Sequence, residues 1–572
     1  MFHFHRQNSL PRTSRFPILP LLCCLLFAGT AQAQDANSDL ESRVDAVFSE
    51  YGNEKIPGAA VAVLQGDSVV FSKGYGSANL EYDIPITPDK TIFHVASVSK
   101  QFTVYAIMLL EAEGKLSLDD PIQKHIPEVP DFGTPITLRH LATHTSGMRD
   151  QWSLLQLAGW RMDDVITVPN ILKLVSRQQD LNFEPGSQYT YCNTGFTLLA
   201  ETVARISGKT FADFCKDEMF RPLKMYKTQF YDDHEKVVPN RAYSYYQSGL
   251  AYRKSVLNYA NAGATSLFTT AEDLMKWAAH LNNPQTERDQ KIVAQMNTLA
   301  VLNDGETFGG AYGQFVGEYK GLKEIQHGGA DAGYRSYLVR FPDQDFAVAV
   351  ASNRAQANPG ALAYGVVDIF LEDVLESELE AEAETTSEEV TAYELSEDEL
   401  EAFAGYYWYE GGRTYRKIYR RENRLVYSRT NGPENELLPI SKNEFKMLEV
   451  PGDIVVEFGK HKGKEALIFK DDTGETVMEA FDYVEGSPEV YQEYTGKYYS
   501  PELDVYYTLL LDDERLIARH NRLPDVPVNY TRKDDVNIGY TSAHFVRDAN
   551  GKVSGMLVST GRVTDLKFEK LD

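Results

Sequence analysis

Residues 93–100 read Phe-His-Val-Ala-Ser-Val-Ser-Lys and lead into an apolar stretch from Phe102 to Leu110 that ends at Gly114. This pattern predicts a buried helix that starts near Ser97. Ser97 and Lys100 would then lie one turn apart on one face, with the hydroxyl near the positive end of the helix dipole. A desolvated lysine can take the proton of such a serine and make it a nucleophile. An ordinary N-cap serine with a solvent-facing lysine fits the same spacing.

A second motif is Tyr189-Thr190-Tyr191-Cys192-Asn193-Thr194-Gly195, which stands between a Pro-Gly turn and a helix-like segment. Tyr191 can relay the proton of an activated serine, and Asn193 offers a donor and an acceptor for orienting an amide. Taken alone the motif is weak, because Tyr51-Gly52-Asn53 and Tyr259-Ala260-Asn261 share its spacing. A turn with a packed aromatic ring is the alternative interpretation.

The third motif runs from His327 to Tyr334, as His-Gly-Gly-Ala-Asp-Ala-Gly-Tyr, before the strand-like segment Ser336 to Arg340. Glycines at the start of a strand allow a substrate backbone to come close. His-x-Gly is weak alone, because His461-Lys462-Gly463 repeats it in a predicted turn and a lone histidine is more often structural.

In this order the three motifs resemble the active-site signature of the serine β-lactamase and penicillin-binding-protein superfamily, specifically its class C-like branch. The resemblance extends over about residues 40 to 370. It includes the threonine-rich segment Leu141 to Gly147 and the helix-start segment Gly263 to Leu274. Within the latter, Thr270 and Asp273 have capping-box spacing. Ser146 beside His144 is a weaker candidate nucleophile, since its segment resembles a structural loop of this family.

The resemblance implies a role for each matching residue. Ser97 would attack a carbonyl and form an acyl-enzyme, Lys100 and Tyr191 would shuttle the proton, and water would release the acyl group. Asn193 would hold the substrate amide. The oxyanion hole would be formed by the backbone N–H groups of Ser97 and Ala330. Losing one such donor typically costs about 3 to 4 kcal/mol of transition-state stabilisation.

His327 stands where many members of the superfamily have lysine. Histidine is only partly charged near neutral pH, which weakens the case for binding a substrate carboxylate through a permanent cation. Gly329, two residues further on, would help to bind the substrate. The histidine resembles D-aminopeptidase-like members, which carry C-terminal β modules. In that group a module loop reaches the active site, so deletion after about residue 395 should change substrate preference or KM.

The whole chain has 572 residues and a net charge of −26, with 43% apolar residues. The length predicts three to four units, and the composition is that of a folded globular protein. An acidic surface repels nucleic acid and anionic lipid, so a nucleic-acid partner is not expected. Only four cysteines exclude a disulfide-built scaffold. The sequence leaves open whether Cys192 and Cys215 pair or remain buried thiols.

Residues 1–33 read as a secretory signal, with three arginines before the apolar run Phe16 to Gly29 and a cleavage site after Ala33. A transmembrane anchor is the alternative, although the run is shorter than the roughly 20 residues that a membrane-spanning helix needs. We therefore expect a periplasmic or secreted protein without a stable membrane anchor. From Glu372 to Glu401 there are 14 acidic residues and no lysine or arginine, which predicts an acidic linker.

An internal repeat with an offset of 91 residues follows. Phe403-Ala404-Gly405-Tyr406-Tyr407 matches Tyr494-Thr495-Gly496-Lys497-Tyr498, and Asn423 to Val426 matches Glu514 to Ile517. Short alternating runs and Gly-containing turns predict antiparallel barrels or sandwiches. Coincidental similarity between tyrosine-rich stretches is the alternative. The expected organisation is signal peptide 1–33, hydrolase domain 34–371, linker 372–401, and β modules 402–488 and 489–572.

The sequence thus predicts an α/β (α+β) catalytic domain of β-lactamase/transpeptidase type, with an antiparallel sheet flanked by helices, followed by two all-β modules. The expected function is that of an exported serine hydrolase acting on a peptide amide or ester that can contain D-residues. An esterase, a weak β-lactamase and a penicillin- or peptidoglycan-binding protein without turnover remain alternatives. A small-molecule or peptide substrate is expected, with no cofactor or metal, and a homo-oligomer is compatible with the sequence.

Two other hydrolase classes fit poorly. No Gly-x-Ser-x-Gly occurs anywhere in the chain, which disfavours an α/β-hydrolase. His140 and His144 have helical spacing, but no glutamate follows His140 as the zinc-protease motif requires.

Overall fold

The computed structural model describes residues 39–53, 55–375, 393–429, 434–450, 454–471 and 474–571. The predicted signal peptide with its cleavage site after Ala33, and residues 376–392 of the predicted linker, lie outside the described residues.

A six-stranded antiparallel sheet forms the centre of the first domain, in the order β12-β13-β14-β15-β1-β2. Its strands are β1 (Ala59–Gln65), β2 (Ser68–Tyr75), β12 (Phe315–Tyr319), β13 (Leu322–Asp331), β14 (Tyr334–Phe341) and β15 (Phe346–Ser352). The Gly66-Asp67 pair connects β1 to β2, and Gly66 has φ of 58°. Glycine adopts this conformation without steric cost, which suits the two-residue turn of a hairpin. Strand β1 also pairs with β15, so strands from the beginning and the end of the domain lie side by side in the sheet.

Both faces of this sheet are covered. Alternate residues of β1 point to opposite sides, so Ala60 and Ala62 join one apolar core while Val61 and Val63 join another. The helices of the domain are α1 (Ser99–Ala112), α2 (Leu138–Ala142), α3 (Gln151–Leu157), α4 (Val168–Val175), α5 (Asn193–Ser207), α6 (Phe211–Cys215), α7 (Ala271–Asn282), α8 (Glu287–Met296) and α9 (Pro359–Phe370). Helix α9 contributes Val366 and Val367 to the second core. The predicted sheet flanked by helices is confirmed.

Short strands complete the first domain and link its loops. They are β3 (Ser77–Asn79), β4 (Ile84–Pro85), β5 (Phe93–His94), β6 (Ile166–Thr167), β7 (Gln229–Phe230), β8 (Ser244–Ser248), β9 (Ala251–Ser255), β10 (Tyr259–Ala260) and β11 (Leu267–Thr269). Strand β11 pairs with both β5 and β7. As predicted, Thr270 caps helix α7 by accepting a hydrogen bond from the Asp273 backbone N–H at 3.1 Å.

Two closed eight-stranded barrels follow. The first contains β16 (Gly405–Tyr409), β17 (Thr414–Arg421), β18 (Arg424–Arg429), β19 (Glu434–Pro439), β20 (Glu444–Met447), β21 (Val455–His461), β22 (Lys464–Asp471) and β23 (Gly474–Phe481). The second contains β24 (Gly496–Ser500), β25 (Val505–Asp512), β26 (Arg515–His520), β27 (Val526–Arg532), β28 (Asp535–Ile538), β29 (Thr541–Arg547), β30 (Val553–Thr560) and β31 (Val563–Leu571). Strands β16 and β24 start 91 residues apart, as do β18 and β26, so the sequence repeat corresponds to a structural one.

Short helices precede both barrels, α10 (Glu397–Glu401) and α11 (Pro488–Tyr494). Ser396 and Glu399 form a capping box at the start of α10, and Leu400 is buried in the core of the first barrel. The end of the predicted linker therefore packs on the first barrel.

The second barrel is docked against the first domain. Leu509 and Phe568 of the barrel belong to the same apolar core as helix α1. The Tyr507 hydroxyl donates to the Leu157 carbonyl at 2.8 Å. Arg149 and Glu502 form an ion pair across the interface, and their side chains are only 1% and 0% exposed. These contacts fix the barrel relative to helix α3.

Cys192 and Cys215 are both buried and unpaired. Across the residues that the structure describes, every helix is too short or too polar to span a membrane.

Candidate active site

Ser97 lies in a 3-10 turn, Ala96–Val98, immediately before helix α1. The helix therefore starts two residues later than the motif predicts, but Ser97 still precedes its first turn. Ala96 has φ of 46°, a left-handed conformation that a residue with a Cβ rarely adopts. The Ser99 hydroxyl donates to the Ala96 carbonyl and accepts from the Leu267 backbone N–H at 3.1 Å. These bonds hold the strained turn that presents Ser97.

Lys100 is completely buried beneath Ser97. Its Nζ lies 3.1 Å from the Ser97 Oγ, 2.9 Å from the Asn193 Oδ1 and 2.7 Å from the Ala264 carbonyl. Burial lowers the pKa of Lys100, because the charged form loses its hydration, and the carboxylates of Asp331 and Asp150 offset part of the effect. The structure therefore brings the predicted serine and lysine together and excludes a solvent-facing lysine.

Tyr191 lies beside this pair. The Lys100 Nζ is 4.7 Å from the centroid of the Tyr191 ring, and the ring stacks on His144 with centroids 4.2 Å apart. Burial raises the pKa of Tyr191, and the Ser97 hydroxyl partly counters the rise. The buried Tyr191 hydroxyl makes no hydrogen bond of ordinary length among the described residues. It is thus a neutral donor next to Ser97.

The threonine-rich loop has the structural role that the family resemblance implies. His144 accepts a hydrogen bond from the Cys192 backbone N–H at 2.9 Å through Nδ1, which fixes the ring under Tyr191. The Ser146 hydroxyl is buried and accepts from the Met148 backbone N–H at 3.3 Å.

Asn193 is the first residue of helix α5. Its Oδ1 accepts from Lys100, and its Nδ2 donates to the Asp150 Oδ2 at 2.8 Å. The same carboxylate oxygen accepts from the Asn193 backbone N–H at 2.7 Å. Both ends of the amide are therefore bonded within the protein, which orients Lys100. The contact between Asn193 and a substrate amide stays a prediction.

The third motif lies in a strand and not ahead of one, which corrects the sequence-based placement. His327 to Asp331 form the end of β13, and Ala332-Gly333 turn the chain into β14. Strand β12 pairs with β13 only as far as Gln326, so the last part of that edge faces the Ser97 turn. The period-2 pattern is interrupted here by glycines, and this hid the strand in the sequence.

Gly329 allows this edge to approach Ser97. A Cβ atom at Gly329 would lie 2.3 Å from the Val95 carbonyl oxygen, 2.4 Å from the Ser336 Oγ and 3.1 Å from the Ser97 backbone nitrogen. Ser336 itself donates to the Val95 carbonyl at 2.7 Å, so neither neighbour is free to move. The approach brings the backbone around Ala330 next to that of Ser97, as an oxyanion hole requires.

His327 is buried, with its Nδ1 2.6 Å from the Gly328 carbonyl oxygen and its Nε2 without a partner among the described residues. Burial lowers the pKa of His327 to about 3, and Lys100 adds to the effect. The expectation of partial charge near neutral pH is therefore wrong, because a buried imidazole loses the hydration that stabilises its cation.

Asp331 follows Ala330 and was not singled out in the sequence. The Thr265 hydroxyl donates to its Oδ2, and the His94 Nε2 lies 3.9 Å from the same oxygen. Burial raises the pKa of Asp331, with the Thr265 hydrogen bond and Lys100 opposing the rise. This carboxylate interacts electrostatically with Lys100 and favours the charged form of that lysine.

A cavity opens over Ser97. Aromatic side chains line much of it, and two arginines reach it, one from the sheet and one from the second barrel. Its lining includes Ser97, Trp152, Tyr189, Tyr191, Asn193, Phe315, His327, Arg335 and Arg562. Arg562 comes from the turn between β30 and β31, so a module loop reaches the site as the family resemblance implies. Among the described residues no cluster of His, Cys, Asp or Glu is arranged to hold a metal ion.

Sequence reasoning missed Asp150 and Arg562. In the sequence, Asp150 has only the character of a helix N-cap residue. In the structure its carboxylate has that role, accepting from the Trp152 backbone N–H at 3.0 Å. Arg562 lies in a two-residue hairpin turn that follows the third motif by more than 220 positions, and no local pattern marks it. Arg562 reaches the site because the second barrel docks on the first domain, whereas Asp150 contacts Asn193 within that domain.

Fold and site together define a β-lactamase-type domain with two appended barrels. The chain belongs to the Beta-lactamase family, whose model matches residues 44–368. It is similar to a D-aminopeptidase from Gluconobacter oxydans, at 27% identity over 321 residues, covering 56% of this chain and 59% of the relative. It is also similar to the protein flp of Staphylococcus aureus strain MRSA252, at 25% identity, covering 55% and 63% of the two chains.

The chain thus spans about three fifths of the length of these curated relatives. Among solved structures, an octameric penicillin-binding protein homologue from Pyrococcus abyssi superposes with a TM-score of 0.54 at 24% identity. The match covers 77% of this chain and 99% of that one, and therefore extends beyond the first domain. At this identity the similarity shows the fold alone.

Proposed function

We propose that the protein is an exported serine hydrolase that cleaves a peptide amide or ester through an acyl-enzyme on Ser97, with D-residue-containing peptides among its substrates. The observation that carries the proposal is the environment of the Lys100 Nζ. Two of its three contacts, the Asn193 Oδ1 and the Ala264 carbonyl, can only accept hydrogen bonds. A neutral amine donates to these two and turns its lone pair to the third contact, the Ser97 hydroxyl.

Acylation then follows from the geometry. The Ser97 Oγ attacks the carbonyl carbon as its proton passes to the Lys100 Nζ, and the carbonyl oxygen becomes an oxyanion. Backbone N–H groups of Ser97 and Ala330 stabilise that oxyanion. Burial supports the step, because it lowers the pKa of Lys100 and keeps its lone pair available near neutral pH.

Collapse of the tetrahedral intermediate breaks the bond to the leaving group. Tyr191 donates its hydroxyl proton to the leaving nitrogen or oxygen and recovers a proton from Lys100. Its raised pKa suits this role, because the tyrosine is protonated before the step. Water then attacks the acyl carbon. Lys100 and Tyr191 transfer protons in the opposite direction, and Ser97 is regenerated.

The relatives support the substrate class. One curated relative is a D-aminopeptidase, and the aromatic lining of the cavity suits an acyl group with an apolar body. Export rests on the signal-like first 33 residues, and N-terminal sequencing of protein recovered from the periplasm or medium tests it. A chain that starts at Gln34 is the expected result.

The central experiment traps the acyl-enzyme. Purified protein is incubated with a panel of D-amino-acid amides, peptides, short-chain esters and nitrocefin, and then digested for mass spectrometry. The acyl mass should appear on the peptide that contains Ser97. Ser97→Ala should abolish both turnover and the adduct, whereas Ser146→Ala should retain the adduct. Turnover near wild type in Ser97→Ala would refute the assignment, and a stable adduct without release would indicate a binding protein.

A further inference from the structure

Arg562 occupies a two-residue turn, Gly561-Arg562, that joins β30 to β31 and enters the catalytic cavity. Its backbone is held by the first domain. The Arg562 carbonyl accepts from the Asn182 Nδ2 at 2.9 Å and from the Asp150 backbone N–H at 3.2 Å. The Thr564 backbone N–H donates to the Asn182 Oδ1 at 2.8 Å. The position of the turn is therefore fixed in the folded protein.

The guanidinium of Arg562 has unused hydrogen-bonding capacity. Its carbon lies 4.7 Å from the centroid of the Tyr191 ring, and the side chain is 42% exposed towards the cavity. The nearest carboxylate oxygen, the Asp150 Oδ2, is 3.9 Å away and already accepts two hydrogen bonds from Asn193. Among the described residues its side chain donates no hydrogen bond of ordinary length.

The other positive groups of the cavity are committed elsewhere. His327 is neutral because burial lowers its pKa, and the Lys100 Nζ is bonded to the Ser97 hydroxyl. The Nη1 of Arg335 donates to the carbonyls of Ala332 and Tyr334, on the Asp331 side of the site. Arg562 is therefore the available permanent cation next to Tyr191.

Tyr191 defines which part of a substrate meets Arg562. In the proposed mechanism its hydroxyl protonates the leaving atom, so the leaving group lies against the tyrosine. A carboxylate on the carbon next to the leaving nitrogen or oxygen would be within reach of a guanidinium at this ring. Guanidinium and carboxylate match in shape and form two parallel hydrogen bonds.

We infer that Arg562 of the second barrel binds a free carboxylate on the leaving group, so that the enzyme prefers substrates whose departing part is an amino acid or hydroxy acid. The inference rests on the proposed function, because it uses Tyr191 as the donor to the leaving atom. The second barrel thereby selects substrates by charge, and it supplies the cation that His327 does not.

Two esters with the same scissile bond test this. N-acetyl-D-alanyl-D-lactate carries the free carboxylate, and N-acetyl-D-alanyl-D-lactamide has a neutral amide in its place. The wild type should show a kcat/KM about 10- to 100-fold higher for the carboxylate, which is the usual effect of a hydrogen bond to a charged group. Arg562→Gln should remove that preference, so that kcat/KM falls at least about 10-fold more for the lactate than for the lactamide, and Arg562→Lys should keep part of it.

Arg519→Gln is the matched control, because Arg519 lies on the same barrel and pairs with Asp525 outside the cavity. It should behave as the wild type. Equal losses on both esters in Arg562→Gln would overturn the inference and assign Arg562 to the electrostatics of Lys100 and Tyr191. Loss of the preference in Arg335→Gln, with Arg562→Gln unchanged, would also overturn it. Melting temperatures confirm that each variant is folded.

A binding measurement separates this inference from the proposed function. Calorimetry on the Ser97→Ala protein compares N-acetyl-D-alanyl-D-alanine with its C-terminal amide, and needs no turnover. Tighter binding of the carboxylate that disappears in Ser97→Ala/Arg562→Gln supports the inference even if neither ester is hydrolysed. Equal binding of both peptides contradicts it even if the protein is a hydrolase.

Discussion

The Asp150 carboxylate holds Asn193 by two hydrogen bonds from one side, 2.7 Å from the backbone nitrogen and 2.8 Å from Nδ2. The opposite end of that amide accepts from Lys100. Asp150 in turn donates its own backbone N–H to the Arg562 carbonyl. A single buried residue therefore connects the docked barrel, through its backbone, to the lysine that contacts Ser97, through its carboxylate and Asn193.

Replacing Asp150 should reduce activity without abolishing the fold. Asp150→Ala removes the oxygen that accepts both hydrogen bonds from Asn193, so the amide is free to rotate away from Lys100. We expect kcat/KM to fall about 10- to 100-fold, as for the loss of one to two hydrogen bonds to a charged group. Steady-state kinetics measure this. Asp163→Asn, on the exposed surface nearby, is the control, and an Asp150→Ala enzyme with normal kcat/KM would contradict the role.

Gly329 and Gly328 form a matched pair for testing the close approach of β13. Gly329→Ala places a Cβ 2.3 Å from the Val95 carbonyl oxygen, whereas at Gly328 the nearest atom would be 3.4 Å away, in Tyr337. Overpacking of this kind costs about 1 to 3 kcal/mol of folding free energy. Gly329→Ala should melt at lower temperature and lose most turnover, because its strand is pushed off Ser97.

Gly328→Ala should stay near wild type in both measurements, since its Cβ makes only a close van der Waals contact. Equal effects of the two substitutions would show that the close approach of β13 to Ser97 does not require glycine at position 329.

The ion pair between Arg149 and Glu502 should stabilise docking only while both partners are present. Glu502→Ala leaves a buried arginine without its carboxylate, which typically costs about 3 to 5 kcal/mol. We expect a lower free energy of unfolding in urea and reduced activity, because the Arg562 turn loosens. Arg149→Met/Glu502→Leu should recover much of the stability, since it removes both charges together.

An exposed pair at the same interface serves as the comparison. Lys567 contacts Asp180 at 2.6 Å with both side chains about half exposed, so Lys567→Ala should change stability by less than about 1 kcal/mol. A similar loss in Glu502→Ala and Lys567→Ala would contradict a special role for the buried pair.

His94 should make the protein sensitive to acid. Burial, assisted by Arg241, lowers the pKa of His94 to about 3 from an ordinary value of 6.5. The unfolded chain therefore binds a proton at a pH where the folded chain does not. The stability contributed by neutral His94 is complete above about pH 6.5 and is lost as the pH falls from 6.5 towards 3.

Urea unfolding at a series of pH values measures this slope, and His94→Gln should flatten it. The other groups near the ring are Asp331, whose carboxylate lies 3.9 Å from Nε2, and the hydroxyl of Thr265 at 3.2 Å. An unchanged slope in His94→Gln would assign the acid sensitivity to another buried histidine with a lowered pKa, His327 or His144. Asp331 acts in the opposite direction, because its raised pKa lets the folded chain bind a proton before the unfolded chain does.

Most of the catalytic domain was predictable because its signals are local. The β1–β2 hairpin follows from a Gly-Asp turn between apolar runs, and the Thr270 cap from its spacing to Asp273. Helix α1 was placed two residues early because the 3-10 turn at Ala96 has no sequence signature. The sequence does not show the strand that contains His327, because glycines interrupt the alternation of apolar and polar residues that marks a strand. These glycines allow the strand to approach Ser97.

The sequence by itself determined the order of the three motifs, and with it the family, the one-turn spacing of Ser97 and Lys100 and the repeated β modules. These depend on periodicity, spacing and turn residues that act over a few positions. Only the tertiary structure decided the charge of His327, which burial sets, and the presence of Asp150 and Arg562 at the site. Arg562 reaches the site because the second barrel docks on the first domain, and Asp150 reaches it by a contact with Asn193 within that domain. In both cases the physical cause is packing between segments that are far apart in the chain.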